Sequence, residues 1–384
     1  MSELTVPDMA NAMIANGVKR IHVLAWRDFD DDEAGGSEDH AHEFMKRWQE
    51  AGLSVLHRTS HAAGKPSTAI RSGYDVVRRG GRMSVFPRTM ASEIFGRMGK
   101  YDALVEIWNG VPWLSPVWCR RPRILILHHV HGPMWNQMFA PPLAAIGRGL
   151  ETKFAPPFYR RTPTVTTSDD TREELIHLGW KPELVTTGPV GVDEFFSAGG
   201  VKTRHPSVLA VGRQAPVKRF IELLEQVKFT RQFVEGATLT LVGDGPDRAK
   251  IVEWIEQNQA HDWVTLLGRV TRDELRDQYR QAWVIASASL AEGWGLALTE
   301  AAGCGTPAVA TDISGHRCSV LNGETGLLAP LENLGRVIAD VLLDDSLRTT
   351  LARHAEQRAR TLTWDALAAG VLQPLYLQVV GQPS

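Results

Sequence analysis

Two doubly wound α/β domains are what the sequence predicts, and three observations predict them. Short apolar runs alternate with amphipathic stretches along the chain, the pattern of βαβ units and parallel sheets. That grammar stops at a Gly-rich, basic, non-periodic stretch, Ala198 to Pro206, and then starts again, so this stretch reads as a linker. At 384 residues the chain is also too long for one ordinary core.

In the first half, the run Arg20 to Ala25 reads as a strand and Gly36 to Ala51, opened by a glycine pair, as a helix. Leu53 to His57, Ala103 to Glu106, Ile124 to Leu127 and Val165 to Thr167 read as further strands. A helix from Thr171 stops at Gly179, and Val185 to Thr187 leads into Gly-Pro-Val-Gly-Val-Asp. In the second half, Val208 to Val211 is a strand, Arg219 to Val227 a helix, and Thr238 to Val242 a strand ending in Gly243-Asp244-Gly245-Pro246. Arg248 to Gln259 and Arg272 to Arg280 are helical on either side of a strand at Val264 to Leu267. Trp283 to Ala286 and Ala308 to Thr311 flank a helix near Leu296 to Gly303. The tail, Leu331 to Val380, is helical with a break around Leu362 to Trp364. The domains are therefore set at 1–200 and 201–362. In such sheets ligands bind beyond the carboxyl ends of the strands, so a cleft between the domains is the expected site.

Composition narrows the class. A formal net charge of −2 argues against a nucleic-acid binder. The longest apolar runs, such as Ile124 to Leu127, fall far short of the roughly 20 residues a membrane span needs. Met1 to Gly17 has no basic n-region, so it does not read as a secretory signal. Cys119, Cys304 and Cys318 are widely separated, which suits reduced thiols in a cytoplasmic protein. Twelve tryptophans are the unusual count; such rings stack on sugars, although most are expected simply to fill core.

Four loops carry candidate chemistry. Gly35 and Gly36 precede a helix, either as a plain flexible loop or as a cradle whose backbone amides approach a phosphate closely; the spacing is not GxGxxG. His128-His129-Val130-His131 follows a strand end, and the carboxylate or cysteine ligands usual at a metal site are not obvious nearby. One imidazole is expected to hydrogen-bond a substrate hydroxyl while the others are structural. Arg213 and Lys218 follow the strand end Val211-Gly212, and a guanidinium fork with a compact ammonium suits a diphosphate. Last, Glu292-Gly293-Trp294-Gly295 precedes a helix from Leu296 that carries Glu300. Helix amides there can hold phosphate oxygens, and a glutamate one turn inside an apolar helix needs a partner, such as adjacent ribose hydroxyls.

Together these segments resemble the GT-B retaining glycosyltransferases of family four. Glu-Gly-Trp-Gly-Leu-Ala-Leu-Thr-Glu, followed by Ala-Ala-Gly-Cys-Gly-Thr-Pro-Ala-Val-Ala-Thr-Asp, resembles that family's Glu-x7-Glu signature. Val-Gly-Arg-Gln-Ala-Pro-Val-Lys resembles its diphosphate loop, Leu-Val-Gly-Asp-Gly-Pro the next strand and turn, and Gly-Gly-Ser-Glu the glycine loop over the donor phosphates. The resemblance implies two Rossmann-like domains facing each other across a cleft, with a terminal helix (363–384) crossing back onto the first. It implies a retaining hexosyl transfer from a nucleotide diphosphate sugar, GDP-mannose or UDP-glucose in type, needing no metal or other cofactor. Arg213 and Lys218 would neutralise the leaving group, Glu300 would hold the ribose and Glu292 would lie near the transferred sugar. Leu-Leu-Gly-Arg-Val resembles the segment that reads the nucleobase by its backbone, at Arg269 and Val270. His128 matches the family's histidine best, with His129 next.

The chain departs from the family in three places. Arg219 stands where glycine usually follows the lysine, Val190 where asparagine is common, and Ile-Ser-Gly-His-Arg-Cys-Ser-Val lacks the usual glutamate. Acceptor contacts are expected from Trp26, Asp28, Glu38 and His129, in or near the acidic loop Trp26 to Glu33. The acceptor itself is expected to be a glycan or lipid-linked. The Arg-rich stretch Arg71 to Arg97 could touch an anionic membrane at its cytoplasmic face, or be a solvated basic face. The rival readings are a sugar-nucleotide epimerase and a non-catalytic nucleotide-sugar binder; a dehydrogenase lacks its glycine spacing.

Overall fold

The computed structural model describes residues 4–32, 34–132, 135–138, 140–188 and 190–381. The chain divides into two compact units, one running to Gly191 and resuming at Trp364, the other spanning Val192–Thr363.

The first unit is built on strands β1 (Arg20–Leu24), β2 (Ser54–Thr59), β3 (Thr68–Arg71), β4 (Tyr74–Arg78), β5 (Ala103–Trp108), β6 (Arg123–Leu127), β7 (Thr164–Thr166) and β8 (Val185–Thr187). Their order in the sheet is β3-β4-β2-β1-β5-β6-β7-β8. Among these described strands only β3 and β4 pair antiparallel. Every residue of β5 is buried, as a central parallel strand covered on both faces requires. Strand order reverses between β1 and β5, so the loops leaving those strands diverge and open a crevice. The β3–β4 hairpin was not legible in the Arg-rich sequence. It turns at Ser72 and Gly73, whose φ values of 46° and 86° suit a primed turn.

The helix Trp364–Val380 packs against the helices Val6–Ala15 and Gly36–Glu50. The Trp48 indole N–H donates to the Ala368 carbonyl at 3.0 Å. A Cβ on Gly191 would lie 2.4 Å from the Trp364 ring, so chain and helix meet here at backbone distance. Of the terminal segment expected at 363–384, residues 382–384 lie outside the described residues.

The second unit has strands β9 (Ser207–Val211), β10 (Thr238–Val242), β11 (Val264–Gly268), β12 (Val284–Ser287), β13 (Ala308–Thr311) and β14 (Gly326–Ala329). All pairings are parallel, in the order β11-β10-β9-β12-β13-β14. Val208, Ala210, Leu239 and Leu241 from the sheet pack with Leu223, Leu224 and Val227 of the helix Phe220–Thr230 and with Ile338 and Ala339. The helix Leu296–Gly303 occupies the bounds read from sequence.

The division falls earlier than the expected 200/201, and Ala198 to Pro206 is not a free linker. Gly303 meets the Phe196 carbonyl so closely that a Cβ would stand 2.4 Å from it. Lys202 Nζ donates to the Ala282 carbonyl at 2.7 Å and to Thr306 Oγ1 at 2.6 Å. These bonds draw the segment onto the second unit, a tertiary effect that its irregular composition conceals.

Candidate functional site

In the second unit the order of strands reverses between β9 and β12. Loops after two such strands leave in opposite directions, and the crevice between them is the natural ligand site of an open parallel sheet. Lys218 belongs to the loop after β9 and Glu292 to the loop after β12. Their side chains form an ion pair, Nζ to Oε1, with Lys218 26% and Glu292 15% exposed. Burial alone would raise the Glu292 pKa; the Lys218 charge and a 2.7 Å hydrogen bond from Ser289 Oγ outweigh it and hold the carboxyl below its usual range. Arg213 is exposed and makes no hydrogen bond or ion pair with the described residues.

Glycines make this approach possible. A Cβ on Gly243 would lie 2.0 Å from the Gly212 carbonyl, and one on Gly315 2.3 Å from the Glu292 carbonyl. Lys218 closes a short 3-10 turn, Pro216–Lys218, and Arg219 then takes φ 50°, ψ 46° before the helix Phe220–Thr230. This is the left-handed region that glycine enters without penalty. The position where the family resemblance expects glycine is thus one where the backbone asks for it.

Gly295, at φ 93°, opens the helix Leu296–Gly303, and Gly293 lies in the turn before it. Glu300, half-buried on that helix, accepts a 2.7 Å hydrogen bond at Oε2 from the hydroxyl of fully buried Tyr279. Burial and the adjacent Glu300 charge push the Tyr279 pKa well up, so the phenol stays a donor. The partner that an apolar helix demands for Glu300 therefore includes a protein group, one that also aims the carboxylate. Arg269, exposed, and Val270, half-buried, follow the end of β11, whose Gly268 carbonyl accepts from Gly243 N–H at 2.7 Å.

Behind Glu292 lie a neutral histidine and two serines, one of which donates to its carboxylate. Buried His316 lies with Nδ1 2.8 Å from the Thr311 carbonyl and Nε2 3.2 Å from Ser287 Oγ. Burial lowers its pKa, so the ring is neutral; Nδ1 donates to the carbonyl and Nε2 accepts from Ser287. Ser287 Oγ is 3.1 Å from Ser289 Oγ, which reaches Glu292.

The first unit presents its own carboxyl edge. His128 follows β6, with its ring edge-on to His40 at 4.8 Å and no hydrogen-bond partner for either ring nitrogen among the described residues. Burial drives its pKa well below the ordinary value, leaving a neutral ring suited to a hydroxyl group. His129 stacks toward His131 at 4.5 Å. His131 is structural: its N–H and ring lie 2.9 and 3.2 Å from the carboxylate of buried Glu151. Among the described residues no group of three or more His, Cys, Asp or Glu side chains is placed to hold a metal ion.

Three expectations for this unit need correction. The Gly35 N–H, expected to meet a phosphate, donates instead to Glu38 at 2.9 Å; Gly36 begins the helix. Glu38, expected at an acceptor, is a helix cap 7% exposed, its pKa raised by burial despite Arg27 at 3.6 Å. Asp28 is fully buried and bound by Arg71 at 2.8 Å and Arg78 at 3.2 Å, so it is not free to contact an acceptor. The same pairs remove Arg71 and Arg78 from the basic face expected of Arg71 to Arg97. The β3–β4 hairpin carries both arginines back to the acidic loop, a pairing distant in sequence. Glu33 of that loop lies outside the described residues. Trp26 is half-buried under the Arg27 guanidinium at 4.5 Å, and its indole nitrogen has no hydrogen-bond partner among the described residues.

Sequence reading passed over His57, Tyr279, Ser289 and His316. His57 lines a small cavity at the β1/β5 crevice with Trp26, Glu38, His42 and Asn109. Neither of its ring nitrogens has a hydrogen-bond partner among the described residues, and burial carries its pKa down to about 3. In sequence it was only the end of a strand; the sole signal was a polar residue inside an apolar run.

Two family models cover most of the chain: Glycosyltransferase Family 4 at residues 34–194 and Glycosyl transferases group 1 at residues 192–358. Among curated relatives, the D-inositol 3-phosphate glycosyltransferase of Kineococcus radiotolerans is 30% identical over 242 residues, 54% of this chain and 55% of that protein. The protein of that name from Salinispora arenicola is 31% identical over 224 residues, 54% of this chain and 50% of its own. The matches thus span about half the length of these relatives. Among solved structures, sucrose-phosphate synthase from Thermosynechococcus elongatus aligns with a TM-score of 0.78 at 20% identity, over 94% of this chain and 98% of that one. Anabaena HepE in complex with UDP-glucose aligns at 0.70 and 17% identity, over 94% and 100%. At such identities the likeness shows the fold, which is GT-B. The chain belongs to the group 1 glycosyltransferases of the family-four type.

Proposed function

We propose that this protein is a glycosyltransferase that moves a hexose from a nucleotide diphosphate sugar to a glycan or lipid-linked acceptor. The observation that carries the proposal is the Lys218–Glu292 pair at the strand-order reversal of the second unit, with Arg213 exposed on the same loop as Lys218. Breaking the sugar–phosphate bond develops negative charge on the diphosphate. The ammonium of Lys218, the guanidinium of Arg213 and the amides opening the helix at Leu296 offset that charge, a role that asks for no metal. Glu292 grips hydroxyls of the sugar or stabilises positive charge at its anomeric carbon, and Glu300, aimed by Tyr279, takes the ribose hydroxyls. Arg269 and Val270 border the base.

The first unit carries a neutral hydroxyl-binding group, His128, at the carboxyl edge of its own sheet, suited to an acceptor hydroxyl. Retention of anomeric configuration belongs to this reading through the family resemblance. No described helix is long and apolar enough to cross a membrane. Between donors, the neighbour solved with UDP-glucose supports a UDP-hexose beside the GDP-mannose expected from sequence. Thermal stabilisation across a panel of sugar nucleotides tests the proposal, since a ligand bound only by the folded state raises Tm by mass action. One UDP- or GDP-hexose is expected to stabilise the protein most, with and without EDTA; no shift with any sugar nucleotide would defeat the reading.

A further inference from the structure

Buried polar atoms with no hydrogen-bond partner among the described residues gather at one edge of the first unit's sheet. Register puts His57 of β2, Ile107 of β5 and Ile126 of β6 on one face, through Val23 and Val105. The helix Gly36–Glu50 packs on that face. Its Ala41, His42 and Met45 line the cavity of His57, and its His40 meets the ring of His128, which follows β6. The unpartnered atoms are both ring nitrogens of His57, both of His128, Nδ1 of His40 and the indole nitrogen of Trp26. A buried polar group left unpaired is costly, so six of them along one edge point to a ligand that pairs them.

Charge and space decide the class of ligand. Burial keeps the three rings neutral: His57 falls to about 3, His40 to about 4 and His128 well below its ordinary value. A neutral imidazole offers one N–H and one lone pair, and a hydroxyl, donor and acceptor at once, answers either. An ionised phosphate oxygen only accepts, so it needs cations. The cations near these rings are already matched. Arg71 lies 2.8 Å from Asp28 and Arg78 2.8 Å from Asp30. Arg27 lies 3.6 Å from Glu38 and Arg82 3.7 Å from Asp31. Of the charges acting on His42, Arg47 pairs with Glu43 and Asp365. Lys46, one turn past His42, is offset in sign by exposed Asp32 of the acidic loop. A phosphate brought here would lose its water with no surplus cation to replace it. The cavity at His57, about 10 Å³, has room for one water-sized group such as a hydroxyl.

We propose that this edge takes an uncharged polyol as acceptor, a sugar or cyclitol ring with one hydroxyl in the cavity at His57, and turns phosphorylated acceptors away. This names the acceptor class of the glycosyltransferase reading and rests on that reading. His57 is the specificity residue. Half-buried Trp26, on the wall of the same cavity, adds an apolar ring face and an N–H, which suit the C–H face and a hydroxyl of such a ring.

Transfer by the full-length protein tests this, with the sugar nucleotide that stabilises it most as donor. The acceptors are matched pairs: glucose and glucose 6-phosphate, mannose and mannose 6-phosphate, myo-inositol and myo-inositol 1-phosphate. An uncharged member is expected to exceed its phosphate at least about tenfold in kcat/KM. His57→Phe should raise KM for that member at least about fivefold with kcat close to wild type, the mark of binding shared by ground and transition states. His57→Gln, whose amide keeps a donor and an acceptor, should recover most of the loss. Asn109→Ala, on the wall of the same cavity, should also raise KM and decides the matter if the buried substitution does not fold. Preference for a phosphorylated member, transfer to none of the uncharged ones, or an unchanged KM in both cavity variants would overturn the proposal. Failure of the glycosyltransferase reading shows separately, as absent donor hydrolysis and absent stabilisation by any sugar nucleotide.

Discussion

The Tyr279 hydroxyl donates to Glu300 Oε2 at 2.7 Å, so a wholly buried phenol aims a half-buried carboxylate. If Glu300 anchors a ribose, removing the aiming group should weaken nucleotide binding without touching the transfer step. Tyr279→Phe is expected to weaken nucleoside diphosphate affinity about fivefold, the worth of one hydrogen bond of about 1 kcal/mol. Glu300→Ala should weaken it more. Calorimetric titration with UDP and GDP checks both, and unchanged affinity in Glu300→Ala would remove the ribose assignment.

Lys218 and Glu292 should separate by kinetic signature. Lys218→Ala removes a cation that stabilises the leaving group, and its kcat is expected to fall about a hundredfold or more. Glu292→Gln removes charge near the sugar, so it should lower kcat while leaving nucleoside diphosphate affinity close to wild type. His316→Phe removes the acceptor that holds the Ser287 hydroxyl, whose oxygen lies against the Ser289 hydroxyl that donates to Glu292, and a several-fold loss in kcat is expected with nucleotide affinity preserved. Steady-state kinetics beside titration calorimetry resolves the three.

Arg219→Gly should stabilise the fold. Arg219 sits at φ 50°, where a side chain costs about 1 kcal/mol that glycine avoids. The greater freedom of glycine in the unfolded chain offsets part of this. A rise in Tm of about 1–3 °C is expected by calorimetry; a fall would mean that the arginine side chain makes a compensating contact.

Acid should destabilise the first unit well before its carboxylates titrate. Burial lowers His40 to about 4 and His57 to about 3, and both are neutral in the folded state near pH 7. Unfolded, each takes up a proton near the ordinary value of about 6.5. The unfolded chain therefore binds more protons between the folded and unfolded pKa values, and stability falls as pH drops below about 6.5. The slope is about 1.4 kcal/mol per pH unit for each group, an order-of-magnitude figure. Denaturant melts between pH 4 and 8 should show it, and His57→Phe should flatten it. Glu292 acts in the opposite sense. Its lowered pKa gives stability that is present above the ordinary glutamate value near 4.5 and lost as pH falls through the folded one.

Much of this protein is legible from local pattern. Parallel strands buried on both faces are continuous apolar runs, so most of the strands could be read directly. Glycines at strand ends and the spacing from Glu292 to Glu300 mark the candidate loops because tight turns and helix openings impose local demands on sequence. The helix Leu296–Gly303 was readable residue for residue for that reason. Tertiary structure alone decided the partners. Asp28 and Glu38 had the composition of acceptor contacts, yet Arg71 and Arg78 on a distant hairpin neutralise the first, and the helix opening at Gly35 takes the second. Tyr279, Ser289 and His316, two of them on helices, gained their places only when strand order brought their segments together. Local propensity sets where a strand ends, whereas charge pairing and burial depend on which ends become neighbours, and that is a property of the sheet.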